Sequence, residues 1–266
     1  MTFTDTHCHI HEEDYPDAEA AYQRALEAGV TRMIVVGTDL KSSQEAVQFA
    51  STHASAWATI GVHPHEAARE GERLGELRHI VKRINGGIHD DGHTFSHLVS
   101  RLVGIGEIGL DYYYTHSPRD VQIRVLEEQL QIAVDYNLPV SFHVREAFDD
   151  FWPIFDNFAG LRGVVHSFTD TIATMEQALT RDLYIGVNGI ATFAKDKQAL
   201  YAAIPHQKML LETDAPYLTP VPHRGKVNGP ALLEHVAKHL ANLQSINLQE
   251  LSRATEASAT HLFTLK

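Results

Sequence analysis

The chain opens with Thr4-Asp5-Thr6-His7-Cys8-His9, passes through a helical pattern at Asp17–Ala28, and returns to a second β-rich run, Arg32-Met33-Ile34-Val35-Val36-Gly37. Strand, helix and strand in that order is the parallel βαβ unit. The same alternation continues along the chain. Further β-rich runs occupy Trp57–His63, Leu102–Glu107, Pro139–His143, Gly163–His166, Leu183–Val187 and Lys208–Asp214. Helical patterns cover Ser43–His53, Leu74–Asn85, Pro118–Tyr136, Phe148–Phe158, Thr171–Thr180, Pro230–Leu243 and Leu248–Phe263. About eight strand–helix units predict a single (β/α)8 TIM barrel over residues 1–266. The seventh unit is the least regular, because Gly-rich sequence follows Val187. The polar stretch Gly86-Gly87-Ile88-His89-Asp90-Asp91-Gly92-His93 breaks the pattern and reads as an inserted, solvated loop.

Composition narrows the function classes. The 266 residues are 44% hydrophobic and 21% charged, enough for a sizeable core. Lys and Arg number 22 against 34 Asp and Glu, so the net charge is −12. A uniformly basic nucleic-acid coat is excluded, and a phosphate substrate needs local cations or metal ions. One cysteine excludes an internal disulfide. The start lacks the basic and apolar regions of a signal peptide, and no apolar run is long enough to span a membrane. A cytoplasmic monomer without an obligate protein partner is expected.

Chemistry concentrates at the strand ends. On a strand, His7 and His9 share a face and Cys8 points away, as a small buried hydrophobe. The other ends read Gly104-Ile105-Gly106-Glu107-Ile108-Gly109-Leu110-Asp111, Ser141-Phe142-His143-Val144-Arg145, Val164-Val165-His166 and Leu211-Glu212-Thr213-Asp214. Barrel enzymes keep their active sites at the C-terminal ends of the strands. His7, His9, Glu107, His143, His166 and Asp214 are six ligand-type groups, more than one tetrahedral ion needs. Two divalent ions sharing a bridging carboxylate would use all six, and such pairs recur in phosphate-ester hydrolysis. Nitrogen and oxygen donors suit Mg, Mn, Co or Zn alike. Glu107 is the expected bridge, and Asp214 the group that orients or deprotonates the attacking water.

Other residues are assigned to substrate. His63, after the third strand, is placed against it, and Arg145, two past His143, against a phosphate oxygen. Arg224 stands with Lys226 and Asn228 in the Pro-rich loop after the eighth strand, where a loop can bind phosphate. Tyr112-Tyr113-Tyr114 either stacks a base or packs on the rim. No Gly-x-Ser-x-Gly motif is present, which argues against a serine nucleophile.

These motifs together resemble the TatD-like metal-dependent deoxyribonucleases of the amidohydrolase superfamily. The resemblance runs through Asp5–His9, Gly61–His65, Gly106–Tyr112, His143 with Arg145, His166–Phe168, Glu212–Leu218 and Arg224–Pro230. It implies one ion on His7, His9, Glu107 and Asp214, and a second on Glu107, His143 and His166. It also implies hydrolysis of DNA phosphodiesters, often from the 3′ end of single strands. His11, Ser167, Gly229 and the Gly86–His93 insertion depart from the family pattern. An alternative within the same metal chemistry is an amidohydrolase-type enzyme acting on a small amide, lactone or ester. A purely structural metal scaffold is disfavoured, because such sites are normally closed by protein ligands.

Overall fold

The computed structural model describes residues 1–86 and 101–265. Most of the Gly86–His93 insertion lies outside the described residues. Eight strands follow in chain order: β1 (Phe3–Cys8), β2 (Val30–Val36), β3 (Ala56–Ile60), β4 (Leu102–Asp111), β5 (Val140–Arg145), β6 (Gly163–Val165), β7 (Tyr184–Val187) and β8 (Met209–Leu211). They form one sheet in the order β1 to β8, and the registered neighbours pair in parallel. The helices are α1 (Ala18–Glu27), α2 (Leu40–Thr52), α3 (Ala67–Glu70), α4 (Leu74–Gly86), α5 (Arg119–Asp135), α6 (Phe148–Asp156), α7 (Ile172–Thr180), α8 (Gln198–Ala203), α9 (Leu233–Leu243) and α10 (Leu248–Phe263). Parallel strands in sequence order with helical crossovers make this a (β/α)8 barrel fold. The seventh unit is irregular, with two short 3₁₀ turns before the six-residue α8, and the third likewise passes through two 3₁₀ turns around the four-residue α3. No helix among the described residues is long and apolar enough to cross a membrane.

Contacts divide the chain into two compact units, Met1–Val35 with Val164–Lys266, and Val36–Gly163. In the first, β1 pairs with β2 and lies beside β8. Thr6 donates its hydroxyl to Leu211 O at 3.0 Å, and Asp214 N–H donates to His7 O at 2.9 Å. Asp5 ties the same two segments together. Its buried carboxylate accepts from the Thr213 amide at 3.0 Å and the Thr213 hydroxyl at 2.5 Å. Burial pushes this carboxyl up to about 7 despite those hydrogen bonds. Cys8 is buried, with its Sγ 3.6 Å from Ile34 O, so it packs away from its histidine neighbours as the strand alternation predicts. α9 buries Leu233, Val236, Ala237, Leu240 and Ala241, one helical stripe. Each buried leucine there contributes roughly 1.5–3 kcal/mol.

In the second unit, β3, β4 and β5 pair in parallel. An aromatic cluster of Phe142, Phe148, Phe151, Trp152 and Phe155 packs α6 on β5. β4 carries a bulge. Ile105 pairs with Val140 and Ile108 with Phe142, so Gly106 and Glu107 together oppose Ser141. Two glycines permit the close approach. A Cβ on Gly106 (φ 147°) would lie 2.7 Å from Ser141 Cβ, and one on Gly109 (φ 155°) 1.8 Å from His143 O. Such bulges re-aim a side chain, here that of Glu107.

Candidate metal centre

In the first unit, His7, His9 and Asp214 converge. His7 stands on β1 and His9 just past it. Asp214, beyond β8, takes a left-handed backbone at φ 57°. The His9 amide donates to Ala215 O at 2.7 Å, so the segment after β8 runs alongside the end of β1. The Nε2 atoms of His7 and His9 face each other at 3.2 Å. Asp214 Oδ1 lies 3.9 Å from the first and 3.5 Å from the second. Donors around one ion at about 2.1 Å stand roughly 3.0–3.4 Å apart. The two histidine nitrogens already have that spacing, and Asp214 stands slightly farther out, so the trio can close on a divalent cation with a small shift of the carboxylate. Burial works to raise the Asp214 carboxyl, but His9, His166 and His7 outweigh it and hold it below its ordinary value.

His166 follows β6 and stacks on His7, with ring centroids 3.5 Å apart. Its Nε2 lies 3.7 Å from Asp214 Oδ1, and its Nδ1 3.0 Å from Glu212 Oε1. Glu212 is fully buried. It also accepts the Ser167 amide at 2.6 Å, from a residue whose left-handed backbone (φ 50°) turns the N–H inward. A Cβ on Gly186 would lie 2.4 Å from Glu212 Oε2, so that glycine leaves room for the carboxylate. A carboxylate behind an imidazole fixes its tautomer and leaves the other nitrogen free to bind metal. Glu212 lies on the Nδ1 side of the His166 ring, and Nε2 faces Asp214.

In the second unit, Glu107 on the bulge meets His143 on β5. His143 Nδ1 lies 2.8 Å from Glu107 Oε1. His143 Nε2 donates to Asp111 Oδ2 at 2.8 Å, so Asp111 stands behind His143 as Glu212 stands behind His166. Burial works to lower the His143 imidazole. The hydrogen bonds to Asp111 and Glu107 outweigh it and raise it to about 9. An ion entering here displaces that proton, because the ligand form is the neutral imidazole.

His63 Nε2 lies 3.5 Å from the same Glu107 oxygen, and one ring nitrogen each of His63 and His143 and one carboxylate oxygen of Glu107 all lie within 4.8 Å of one another. Its tautomer argues against ligation. His63 Nδ1 accepts the His65 amide at 3.2 Å, so the neutral ring carries its proton on Nε2. Burial lowers this imidazole to about 4, which keeps it neutral near pH 7. His63 is therefore a buried hydrogen-bond donor beside Glu107.

The remaining candidates have partners of their own. Arg145 is exposed, with its guanidinium 3.9 Å from the Tyr113 ring centroid. Arg224 donates to Thr219 O at 2.7 Å and lies 3.9 Å over Phe193, so its loop is braced from within. Asn228 is buried and donates to Thr213 O and Tyr217 O at 2.8 and 2.6 Å, a pin for the same loop. The His11 ring sits 6.5 Å from that of His9. Asp111 and Glu212 lie inside the strand-end motifs, but the sequence alone assigns them no role. The available signal was the surplus of acids at strand ends that already carried enough ligands.

Imidazoles and carboxylates at the strand ends of a (β/α)8 fold, with buried acids behind His143 and His166, define a metal-dependent hydrolase of the barrel class. The chain belongs to the TatD-related DNase family, whose model matches residues 4–264. It is 32% identical to the uncharacterized metal-dependent hydrolase YabD of Bacillus subtilis, over 98% of each chain. It is 34% identical to the 3′-5′ ssDNA/RNA exonuclease TatD of Citrobacter rodentium, over 94% of each. Among solved structures, the TatD homolog YJJV of Escherichia coli superposes with a TM-score of 0.88 at 28% identity. That match covers 99% of this chain and 98% of the other.

Proposed function

We propose that this hydrolase cleaves phosphodiester bonds of single-stranded DNA, removing nucleotides from the 3′ end. Two divalent ions are assigned to His7, His9, Glu107, His143, His166 and Asp214, with Glu107 as the shared ligand. The donor set accepts Mg, Mn, Co or Zn. The observation that carries the reading is the ligand chemistry: His7, His9 and Asp214 on one unit, Glu107 and His143 on the other. Relatives named as 3′-5′ exonucleases, about a third identical over nearly their whole length, support the substrate.

When bound, divalent ions supply Lewis-acid stabilisation of phosphate oxygens and make water more acidic. The chain's own residues do the rest. Asp214, held ionised, accepts the proton of the attacking water. His63 donates its Nε2 proton to a phosphate oxygen. Arg145 and Arg224 neutralise phosphate charge locally, which a chain of net charge −12 requires. The reading takes residues 1–266 as one domain, acting as a cytoplasmic monomer. That same net charge favours the second reading, hydrolysis of a small amide, lactone or ester.

Oligonucleotides labelled at either end separate the two. With the 5′ label, the metal-loaded protein is expected to give a ladder shortening stepwise from the 3′ end. The 3′ label should be released at once. Asp214→Asn should lower the rate by about 10²–10⁴-fold. Turnover of small esters or amides with the oligonucleotides left intact would establish the second reading instead.

A further inference from the structure

The three tyrosines after β4 are used differently. Tyr112 is engaged by protein on both sides: its hydroxyl donates to Asp150 Oδ2 at 2.7 Å, and Arg119 lies 4.1 Å over its ring. Tyr113 and Tyr114 keep 52% and 42% of their surface exposed. Rings that merely closed the rim would be buried against it. The turn that presents them is nonetheless fixed at its base. Asp111 Oδ1 accepts the amides of Tyr113 and Tyr114 at 3.0 and 2.9 Å. The other oxygen of the same carboxylate accepts from His143 and His65.

Flat groups run without a break from the ligands to these rings. His63, beside Glu107, has its ring centroid 4.4 Å from that of His65. The His65 ring lies 5.5 Å from Tyr114, whose ring is 4.7 Å from Tyr113. His116 stacks on Tyr114 at 5.6 Å. The Arg145 guanidinium lies 3.9 Å over Tyr113 and 4.9 Å over Tyr114.

We infer that Tyr113 and Tyr114, with Arg145, form a stacking subsite for one nucleobase of the substrate strand. The inference rests on the single-stranded nucleic acid reading given above and names where that strand is gripped. Aromatic faces bind bases without choosing sequence. A guanidinium resting on a ring keeps its edge donors available for a phosphate oxygen. One shelf can thus hold the base and the backbone of the same nucleotide. A small amide or ester offers nothing for so extended a surface to hold.

The test is binding of a short 5′-labelled oligothymidylate, followed by fluorescence anisotropy with the Mg-loaded protein. Phosphorothioate linkages at the 3′ end slow its hydrolysis. A companion set carries one abasic residue at each of the last few positions in turn. In the wild-type protein, one abasic position should weaken binding about tenfold, the effect of losing one stacked base. Tyr113→Ala should bind the intact strand about tenfold more weakly and show no further loss at that position. Tyr113→Phe should keep the wild-type pattern, since a phenyl face also stacks. Equal weakening of intact and abasic strands by Tyr113→Ala, or no weakening of either, would overturn the subsite and leave the nuclease reading standing. Failure of the wild-type protein to bind any of the strands would overturn both.

Discussion

Asp111 is fully buried, and each of its oxygens accepts two hydrogen bonds, one pair from histidine rings and one from tyrosine amides. Burial works to raise this carboxyl, but the His143, His65 and Tyr114 hydrogen bonds hold it far below its ordinary value. An amide in its place has one acceptor oxygen and one donor group, so it must leave one of those pairs unmatched. Asp111→Asn is therefore expected to loosen His143. Metal affinity at the Glu107–His143 group should fall about 10–100-fold, while His7, His9 and Asp214 still take up an ion. Calorimetric titration of the metal-free protein reads both events, and an unchanged isotherm would show that Asp111 does not position His143. At this scale the sequence was partly legible. The ligand-type residues stand out because histidine and acid recur at strand ends. The orienting acids do not, since nothing in Gly-Leu-Asp or Leu-Glu-Thr tells which nitrogen of a distant histidine each will face. The donor role of His63 was equally hidden, because it depends on the His65 amide that its ring accepts.

Elements were the most legible level. The strands and the longer helices fall within a few residues of the runs read from periodicity, because each parallel strand is a short buried run and each long helix has an apolar stripe, whereas α3 and α8 are too short to show a period and lie outside those runs. The bulge in β4 was not readable, since it appears only when β5 is laid beside it in register. Helix starts show why the boundaries are sharp. Asp39 caps α2 through a reciprocal pair: its carboxylate accepts the Ser42 amide at 2.7 Å, and the Asp39 amide donates to Ser42 Oγ at 2.9 Å. Burial works to raise the Asp39 carboxyl. The Ser42 hydrogen bonds and the Arg69 guanidinium outweigh it and hold it below its ordinary value. A depressed carboxyl stabilises the fold fully above its unfolded value and loses that contribution as the pH falls through the folded one. Asp39→Ala should thus cost about 1 kcal/mol in urea unfolding at neutral pH. The gap should narrow below about pH 4, and Asp39→Asn should recover most of the loss. A constant gap across that range would mean that the carboxylate charge contributes nothing to the cap.

For the whole molecule, charge and fold pull the functional reading in different directions. A net charge of −12 disfavours a polyanionic substrate, yet the strand-end ligands and the exposed Arg145 suit phosphate. Divalent ions resolve the conflict, because they add positive charge only where the reaction occurs. The fold class was legible from alternation alone, and the ligand types from the strand ends. The substrate was legible only through resemblance, because one ligand set serves esters, amides and phosphates alike. The most direct test strips the protein with chelator, restores Mg, Mn, Co or Zn singly, and follows cleavage of a 5′-labelled single strand, with Glu107→Ala as the control for contaminating nuclease. Shortening from the 3′ end that vanishes on stripping, returns with metal and is absent in Glu107→Ala is the predicted result. Cleavage that survives stripping, or that Glu107→Ala performs at the wild-type rate, would contradict the account.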